Sequence, residues 1–303
     1  MSGPGSPDFI CIGMPKAGTG WLYDQLQYHP DFWMPPVKEL HYLNRDVPRM
    51  RNVNKRLKRA QGRSDSEKGK RRREDKPPRQ KIANRRPGDE RDLRFLEDAS
   101  EGRGKPMDIS RYASWFRHKG ELLSGDISPG YSQLSEEVVG KVASALPDTK
   151  IVLLIRDPVA RAWSRICMSH RDGTFDQKLL EDPEAFRNYL NSSEKIQGRS
   201  LPSKIVERWR RCAPQLQFRY FLFDDIVHEP EKTRAEILSF LGADPAKGSG
   251  DLAASYNRKA TAAKLELTPA ARAVLVDYFR EELKVCSEMF GSHARKWAEN
   301  YGI

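Results

Sequence analysis

The sequence predicts an α/β fold in which a central parallel sheet is flanked by helices. Three apolar runs, Phe9–Ile12, Lys150–Ile155 and Phe218–Phe223, have the length and chemistry of strands. Helical stretches separate them, and strands separated by helices pair in parallel through crossovers. The charge distribution adds a third observation. The 303 residues carry 53 Lys+Arg against 42 Asp+Glu, a formal net charge of +11. Residues 49–94 alone hold 19 of the basic and 7 of the acidic groups, leaving 34 basic against 35 acidic elsewhere. A near-neutral globular domain over 9–303 therefore carries one basic, core-poor insertion at 49–94.

Taken in order, residues 1–8 are rich in Gly, Pro and Ser and read as a flexible lead-in. Phe9–Ile12 is a short buried strand ending at Gly13. A glycine-bearing loop, Gly13 to Gly20, runs into a helix over Trp21–Tyr28, with apolar residues at 21, 22, 26 and 28 on one face. Pro35-Pro36 bars a helix, so 37–43 reads as a short strand or extended loop. The segment 49–94 has no sustained period, includes Lys70-Arg71-Arg72-Arg73, and reads as a solvated, mobile excursion. Globular character resumes near Leu93–Leu96. Ser128–Tyr131 is a turn and Ser135–Ala145 an amphipathic helix. Lys150–Ile155 is continuous and β-branched, suited to burial on both faces. Asp157 caps a helix over about 159–170, with Pro158 at its first position. A helix from Pro230 to Leu241 ends at Gly242, and Thr268-Pro269 opens another that reaches about Phe290. Asp224-Asp225 reads as a pair capping the helix that follows. Trp163, Trp209 and Trp297 read as packing residues.

Several function classes are set aside. No apolar run approaches the roughly 18 residues of a membrane span, and the first residues lack a signal peptide's apolar core. Cys11, Cys167, Cys212 and Cys286 are far apart, with no C-x-x-C pair, and read as reduced thiols of a cytoplasmic protein. The histidines show no metal spacing, so no metal is expected.

The strand–glycine loop–helix at 9–28 suits an anion. Glycines let backbone approach it, and the helix start offers free N–H groups and a positive dipole end. Lys16 adds a cation and Thr19 a hydroxyl. The kinase pattern G-x-x-x-x-G-K-[ST] is absent, because Lys16 precedes Gly18. Gly13-Met14-Pro15-Lys16-Ala17-Gly18-Thr19-Gly20-Trp21-Leu22 instead resembles the 5′-phosphosulfate loop of the PAPS-dependent sulfotransferases. Arg156-Asp157-Pro158-Val159-Ala160-Arg161-Ala162-Trp163-Ser164-Arg165 resembles their 3′-phosphate motif. Gly125–Tyr131 and Tyr220–Ile226, with Phe240-Leu241-Gly242 beyond, resemble two further family stretches.

The resemblance implies a P-loop-nucleotide-kinase-like fold and a sulfuryl transfer from PAPS to a hydroxyl or amine. It implies that Lys16 meets the transferring group, and that Ala17, Gly18, Thr19, Gly20 and Trp21 hold the 5′-phosphosulfate. Arg156 and Ser164 would hold the 3′-phosphate, which suits an arginine fork and a hydroxyl. Lys259 is the candidate that closes over the nucleotide from a late loop. Two positions depart from the family. Gly20 stands where many members have a second threonine, and Ile127 where heparan-type enzymes often have a lysine. Lys38 is a candidate substitute for the latter.

Lys38-Glu39-Leu40-His41-Tyr42-Leu43 resembles the K-E-x-H stretch of heparan-sulfate-type and bacterial carbohydrate sulfotransferases, rather than the cytosolic phenol type. It implies Glu39 as general base, with His41 the rival. The expected acceptor is a carbohydrate or lipo-oligosaccharide. The alternative is another small-molecule metabolite, with His41 as base. A distant alternative, a nucleic-acid-binding protein using 49–94, has the charge but little aromatic interleaving.

Overall fold

A computed structural model describes residues 5–61, 89–248, 252–256 and 265–303. Phe9–Gly13 (β1) is buried at all five positions, as a strand covered on both faces must be. It pairs in parallel with Gly125–Ile127 (β2) on one side and with Lys150–Ile155 (β3) on the other. Phe218–Leu222 (β4) extends the sheet in parallel from β3, giving the order β2–β1–β3–β4. The chain thus leaves β1 for β2, then crosses back to β3 on the opposite side of β1. That reversal opens a crevice at the carboxyl ends of β1 and β3, where open α/β sheets bind ligands. The β1–β3 register slips between Cys11 and Gly13, and the Met14 amide still reaches the Leu154 carbonyl at 2.6 Å. The loop that follows is therefore pinned to the mouth of the crevice.

Local sequence sets most of the helices. Asp157 Oδ1 accepts the Val159 amide at 2.8 Å and Pro158 opens helix Pro158–Arg171, as the capping pattern predicts. Ser135 caps Glu136–Ala145, and Thr268 caps Pro269–Tyr278. Helix Pro230–Leu241 ends at Gly242, whose φ of 94° is the left-handed stop that glycine supplies.

Other expectations are corrected. The helix expected from Pro269 to Phe290 is broken at Phe279 into Pro269–Tyr278 and Arg280–Phe290, and Ser292–Asn300 follows. Asp224 and Asp225 lie inside the first turn of helix Phe223–His228 and not at its cap position; Asp225 accepts from the Leu222 backbone N–H and faces His293 at 3.3 Å. Residues 6–8 are tied down rather than loose. Lys119, itself buried, donates to the Ser6 carbonyl at 2.9 Å and to Asp8 at 2.6 Å. The ends of the 49–94 segment are the helices Arg51–Ala60 and Glu90–Glu101, anchored by buried Val53, Phe95 and Leu96. Its middle, 62–88, lies outside the described residues.

The three-residue β2 escapes a sequence reading because its central residue is an aspartate. Asp126 is buried, yet three hydroxyls satisfy it: Ser128 at 2.7 Å, Tyr131 at 2.7 Å and Tyr112 at 3.2 Å. Burial pushes its pKa up, and the hydroxyl donors oppose that shift. Two of these hydroxyls also accept. Ser128 Oγ takes the His41 amide at 3.2 Å, and Tyr131 OH takes the Tyr42 amide at 3.0 Å. With Glu39 N donating to the Ile127 carbonyl at 3.2 Å, they hold residues 39–42 along β2 as an irregular strap, without strand pairing.

Tyr131→Phe keeps the ring but removes a donor to Asp126 and the acceptor for the Tyr42 amide. It should lower unfolding free energy by about 1–3 kcal/mol, the range for a buried group left unsatisfied. Urea unfolding checks this, and an unchanged midpoint would show that the hydroxyl is not part of the support.

Candidate functional site

The loop after β1 turns through two left-handed residues, Lys16 (φ 75°) and Gly18 (φ 94°). Gly18 cannot be replaced cheaply: a Cβ there would lie 3.2 Å from Ile226 and Phe223 side-chain carbons. Helix Thr19–Gln27 starts at once, and its first backbone bond runs from Leu22 N to Gly18 O at 3.0 Å. The amides ahead of Leu22 have no partner one helical turn back, so this end attracts anions. Ala17 is different. It is buried, and its amide is spent on the Met14 carbonyl at 3.2 Å.

Beside this loop opens a cleft of about 790 Å³. Lys16, Gly18, Thr19, Gly20 and Trp21 form one wall, and Lys38, Glu39 and His41 of the strap form another. The third wall is one face of helix Pro158–Arg171, where Arg161, Ser164, Arg165 and Met168 recur at helical spacing. Arg156 enters from the end of β3. Its Nη1 donates to the Lys16 carbonyl at 2.9 Å, and its guanidinium lies 4.7 Å from the Phe223 ring centre. Three of the five non-glycine residues with positive φ among those described are Lys16, Glu39 and His41. Backbone strain of that kind, roughly 1–3 kcal/mol each, gathers at functional sites.

The cleft is strongly cationic. Lys16, Lys38, Arg156, Arg161, Arg165, Lys195 and Arg199 line it, against the single carboxylate of Glu39. Arg161 is fully buried; its Nη2 donates to the Lys195 carbonyl at 2.9 Å, while Nε and Nη1 have no partner. Burial first, then the fields of Arg199, Arg165 and Arg156, bring its pKa down to about 9. The Lys16 ammonium is likewise held below its usual value, by desolvation and then by Arg171, Arg156 and Arg165. Crowded, under-partnered cations fit a multiply charged anionic ligand.

Lys38 joins the two halves of the site. Its ammonium donates to Thr19 Oγ1 at 3.3 Å and to Glu39 Oε1 at 2.9 Å. His41 Nε2 lies 3.3 Å from Glu39 Oε2, and its Nδ1 is buried without a partner. Desolvation alone would raise the Glu39 pKa. The His41 hydrogen bond and the Lys38 charge outweigh it and lower the pKa to about 2. The carboxylate is thus ionised throughout the neutral range.

Of the residues singled out in the sequence, Lys16, Gly18, Thr19, Gly20, Trp21, Glu39, His41, Arg156 and Ser164 meet in this one cleft. Ala17 lies behind it, and Lys259 lies outside the described residues. Trp21 Nε1 donates to the Ala254 carbonyl at 2.7 Å, so the chain leading toward Lys259 does touch the site's first helix. Ile127 is buried, its side chain absorbed by the core, which leaves Lys38 as the cation beside the carboxylate. Sequence reading assigned no role to Arg161, Arg165, Lys195 or Arg199. The first two could have been found, since they share a helix face with Ser164. Lys195 and Arg199 carry no local signal. Among the described residues no cluster of His, Cys, Asp and Glu could hold a metal, and no helix is long and apolar enough to cross a membrane.

A parallel sheet with an anion-seeking loop at its switch point, and a carboxylate facing that loop, defines a group-transfer enzyme of P-loop-like α/β fold. The chain belongs to the sulfotransferase family, whose sequence profile matches residues 7–246. Its fold is similar to that of a sulfotransferase from Alicyclobacillus acidocaldarius, with a TM-score of 0.60 at 20% identity over 96% of this chain and 98% of that one. The sulfotransferase domain of the Synechococcus PCC 7002 olefin synthase aligns over 98% of this chain and 94% of its own, with a TM-score of 0.48 and 18% identity. No curated protein sequence matches the chain.

Because the Lys38 charge helps hold the Glu39 pKa down, Lys38→Met should move the carboxyl titration upward from about 2. Carbon-13 NMR of the glutamate carboxyls would follow it. An unmoved midpoint would show that His41 alone sets the ionisation.

Proposed function

We propose that this sulfotransferase takes its sulfuryl group from PAPS and passes it to a hydroxyl or amine of an acceptor, with a carbohydrate or lipo-oligosaccharide the favoured class. The observation that carries this reading is the Lys38 bridge, one ammonium bonded to both the donor-side Thr19 hydroxyl and the Glu39 carboxylate. Lys16 and the helix-start amides of Thr19, Gly20 and Trp21 face the 5′-phosphosulfate. Arg156 and Ser164 take the 3′-phosphate, and the orphaned nitrogens of Arg161 supply further donors in the same cleft.

In the transfer, the acceptor oxygen or nitrogen forms a bond to sulfur as the bond from sulfur to the bridging phosphate oxygen breaks. The electron pair leaves with 3′-phosphoadenosine 5′-phosphate, and the acceptor's proton goes to Glu39. A carboxylate with a pKa near 2 is a weak base. Lys38 resolves this if its ammonium turns from Glu39 to the sulfuryl oxygens as negative charge moves toward the donor. The carboxylate then loses its cationic partner and gains basicity at the moment it is needed. Cytoplasmic operation, with PAPS supplied there, is part of the same reading.

The donor is tested by thermal shift. 3′-Phosphoadenosine 5′-phosphate should raise the melting temperature well beyond AMP or ATP, and Arg156→Ala should narrow the difference by about 1.5–3 kcal/mol. Equal shifts from all three nucleotides in the wild type would overturn the assignment.

The base is tested separately. Glu39→Gln should cut turnover by about 10²–10⁴-fold while leaving donor affinity nearly unchanged. Lys16→Ala should lower both. Loss of activity in His41→Asn with Glu39→Gln still active would transfer the role to the histidine.

A further inference from the structure

The cleft does not end at Glu39. A hollow of about 380 Å³ shares His41 and Arg199 with it and is walled by Arg45, Arg49 and Arg51. A second hollow, of about 750 Å³, shares those three arginines and adds Arg103. Asp46 is the one carboxylate in either wall. Among the described residues, Arg45, Arg49, Arg51 and Arg103 make no side-chain hydrogen bond or ion pair, and Arg199 bonds only the neutral Gln133. Several arginines on other surfaces are paired, Arg91 with Asp89, Arg117 with Asp98 and Arg219 with Glu236, while Arg171, Arg210 and Arg295 are exposed with no ion pair among the described residues. An unpaired charge on a convex face is simply solvated. Here five arginines without an acidic partner line two adjoining concavities that open from the reacting centre.

The walls are also built to hold position. The Met107 amide donates to the Asp46 carbonyl at 2.7 Å and the Gly104 amide to the Pro48 carbonyl at 3.3 Å, clasping the two loops together. Met50 and Val53 are buried beneath, and Asn52 Nδ2 ties the track to the Glu39 carbonyl at 3.2 Å. The track is thus bonded to the strap that carries the carboxylate.

We propose that these arginines form the acceptor subsite, and that the acceptor is an elongated acidic chain of glycan type, bearing several carboxylate or phosphate groups. This rests on the transfer reaction proposed above. The reacting hydroxyl or amine sits at Glu39, the nearest anionic group meets Arg199, and later ones meet Arg49 and Arg51, then Arg45 and Arg103. A small single anion would occupy one hollow and leave the rest without purpose. Arginine forks match both carboxylate and phosphate oxygens. The walls of the two outer hollows contain no Phe, Tyr or Trp, the stacking platforms that single-stranded nucleic acid uses. The +11 charge of the chain adds long-range attraction for such an acceptor.

Fluorescence anisotropy on the full chain tests this, with 3′-phosphoadenosine 5′-phosphate saturating so that the donor cleft is filled. The probes are a labelled oligogalacturonate, a phosphodiester-linked glycerol oligomer, a neutral dextran oligomer and a single-stranded DNA of matched charge. At least one acidic oligomer should bind and the dextran should not; which acidic probe binds identifies the anionic group. The Arg45→Ser/Arg49→Ser/Arg51→Ser variant, altered only at exposed positions, should bind that oligomer at least about tenfold more weakly, or about 1.4 kcal/mol. Its thermal shift with the nucleotide should match the wild type, which shows that the fold and donor cleft are intact. Undiminished binding in the variant, equal binding of dextran, or tightest binding of the DNA would overturn the proposal. A wild type that binds the acidic oligomer but shows no nucleotide shift would instead overturn the donor reading.

Discussion

The buried carboxylate of Asp126 is the constraint on which the site depends. An isolated charge at that depth would be costly, and three hydroxyls make it tolerable. Two of them spend their remaining acceptor capacity on the amides of His41 and Tyr42. One buried acid therefore holds a strap that has no strand partner, and the strap delivers Glu39 and Lys38 to the crevice. The aromatic packing of Tyr42 against Tyr112 and Trp115 seals the same junction from the other side. Satisfaction of a buried polar group and placement of the cleft's carboxylate are here a single arrangement.

The cleft shows the opposite balance. Seven cations converge on one carboxylate, and the deepest of them, Arg161, has two nitrogens without a partner. Desolvated like charges oppose folding, and the depressed pKa values of Lys16 and Arg161 record that opposition. The large sheet core bears this cost. A ligand carrying several negative charges would relieve it, so affinity is stored as electrostatic tension before any ligand arrives. The left-handed backbone at Lys16, Glu39 and His41 adds conformational strain at the same place.

Lys38 ties these two features together. Its position in sequence, directly before Glu39, would normally mark a solvated charge pair. Folded, it reaches across to Thr19, so the carboxylate and the anion loop share one cation.

β1, β3 and β4, the caps at Asp157 and Thr268 and the stop at Gly242 were legible in the sequence, because each is decided by neighbours within a few residues. So were the anion loop, the Arg156–Ser164 motif and the Lys38–His41 strap, whose residues keep their chemistry wherever the fold places them. The break at Phe279, the helices at both ends of the basic segment, and β2 with its aspartate were not legible, since tertiary packing overrides weak local preference there. Nor was the meeting of Arg161, Lys195 and Arg199, or the series of hollows past Arg45 and Arg49. These depend on the sheet order β2–β1–β3–β4, which brings segments more than a hundred residues apart to one edge. Sequence by itself determined which chemical groups the protein has and the local elements that carry them. Only the tertiary structure decided which of them face one another, because that follows from how the strands are ordered and from which buried polar groups find partners.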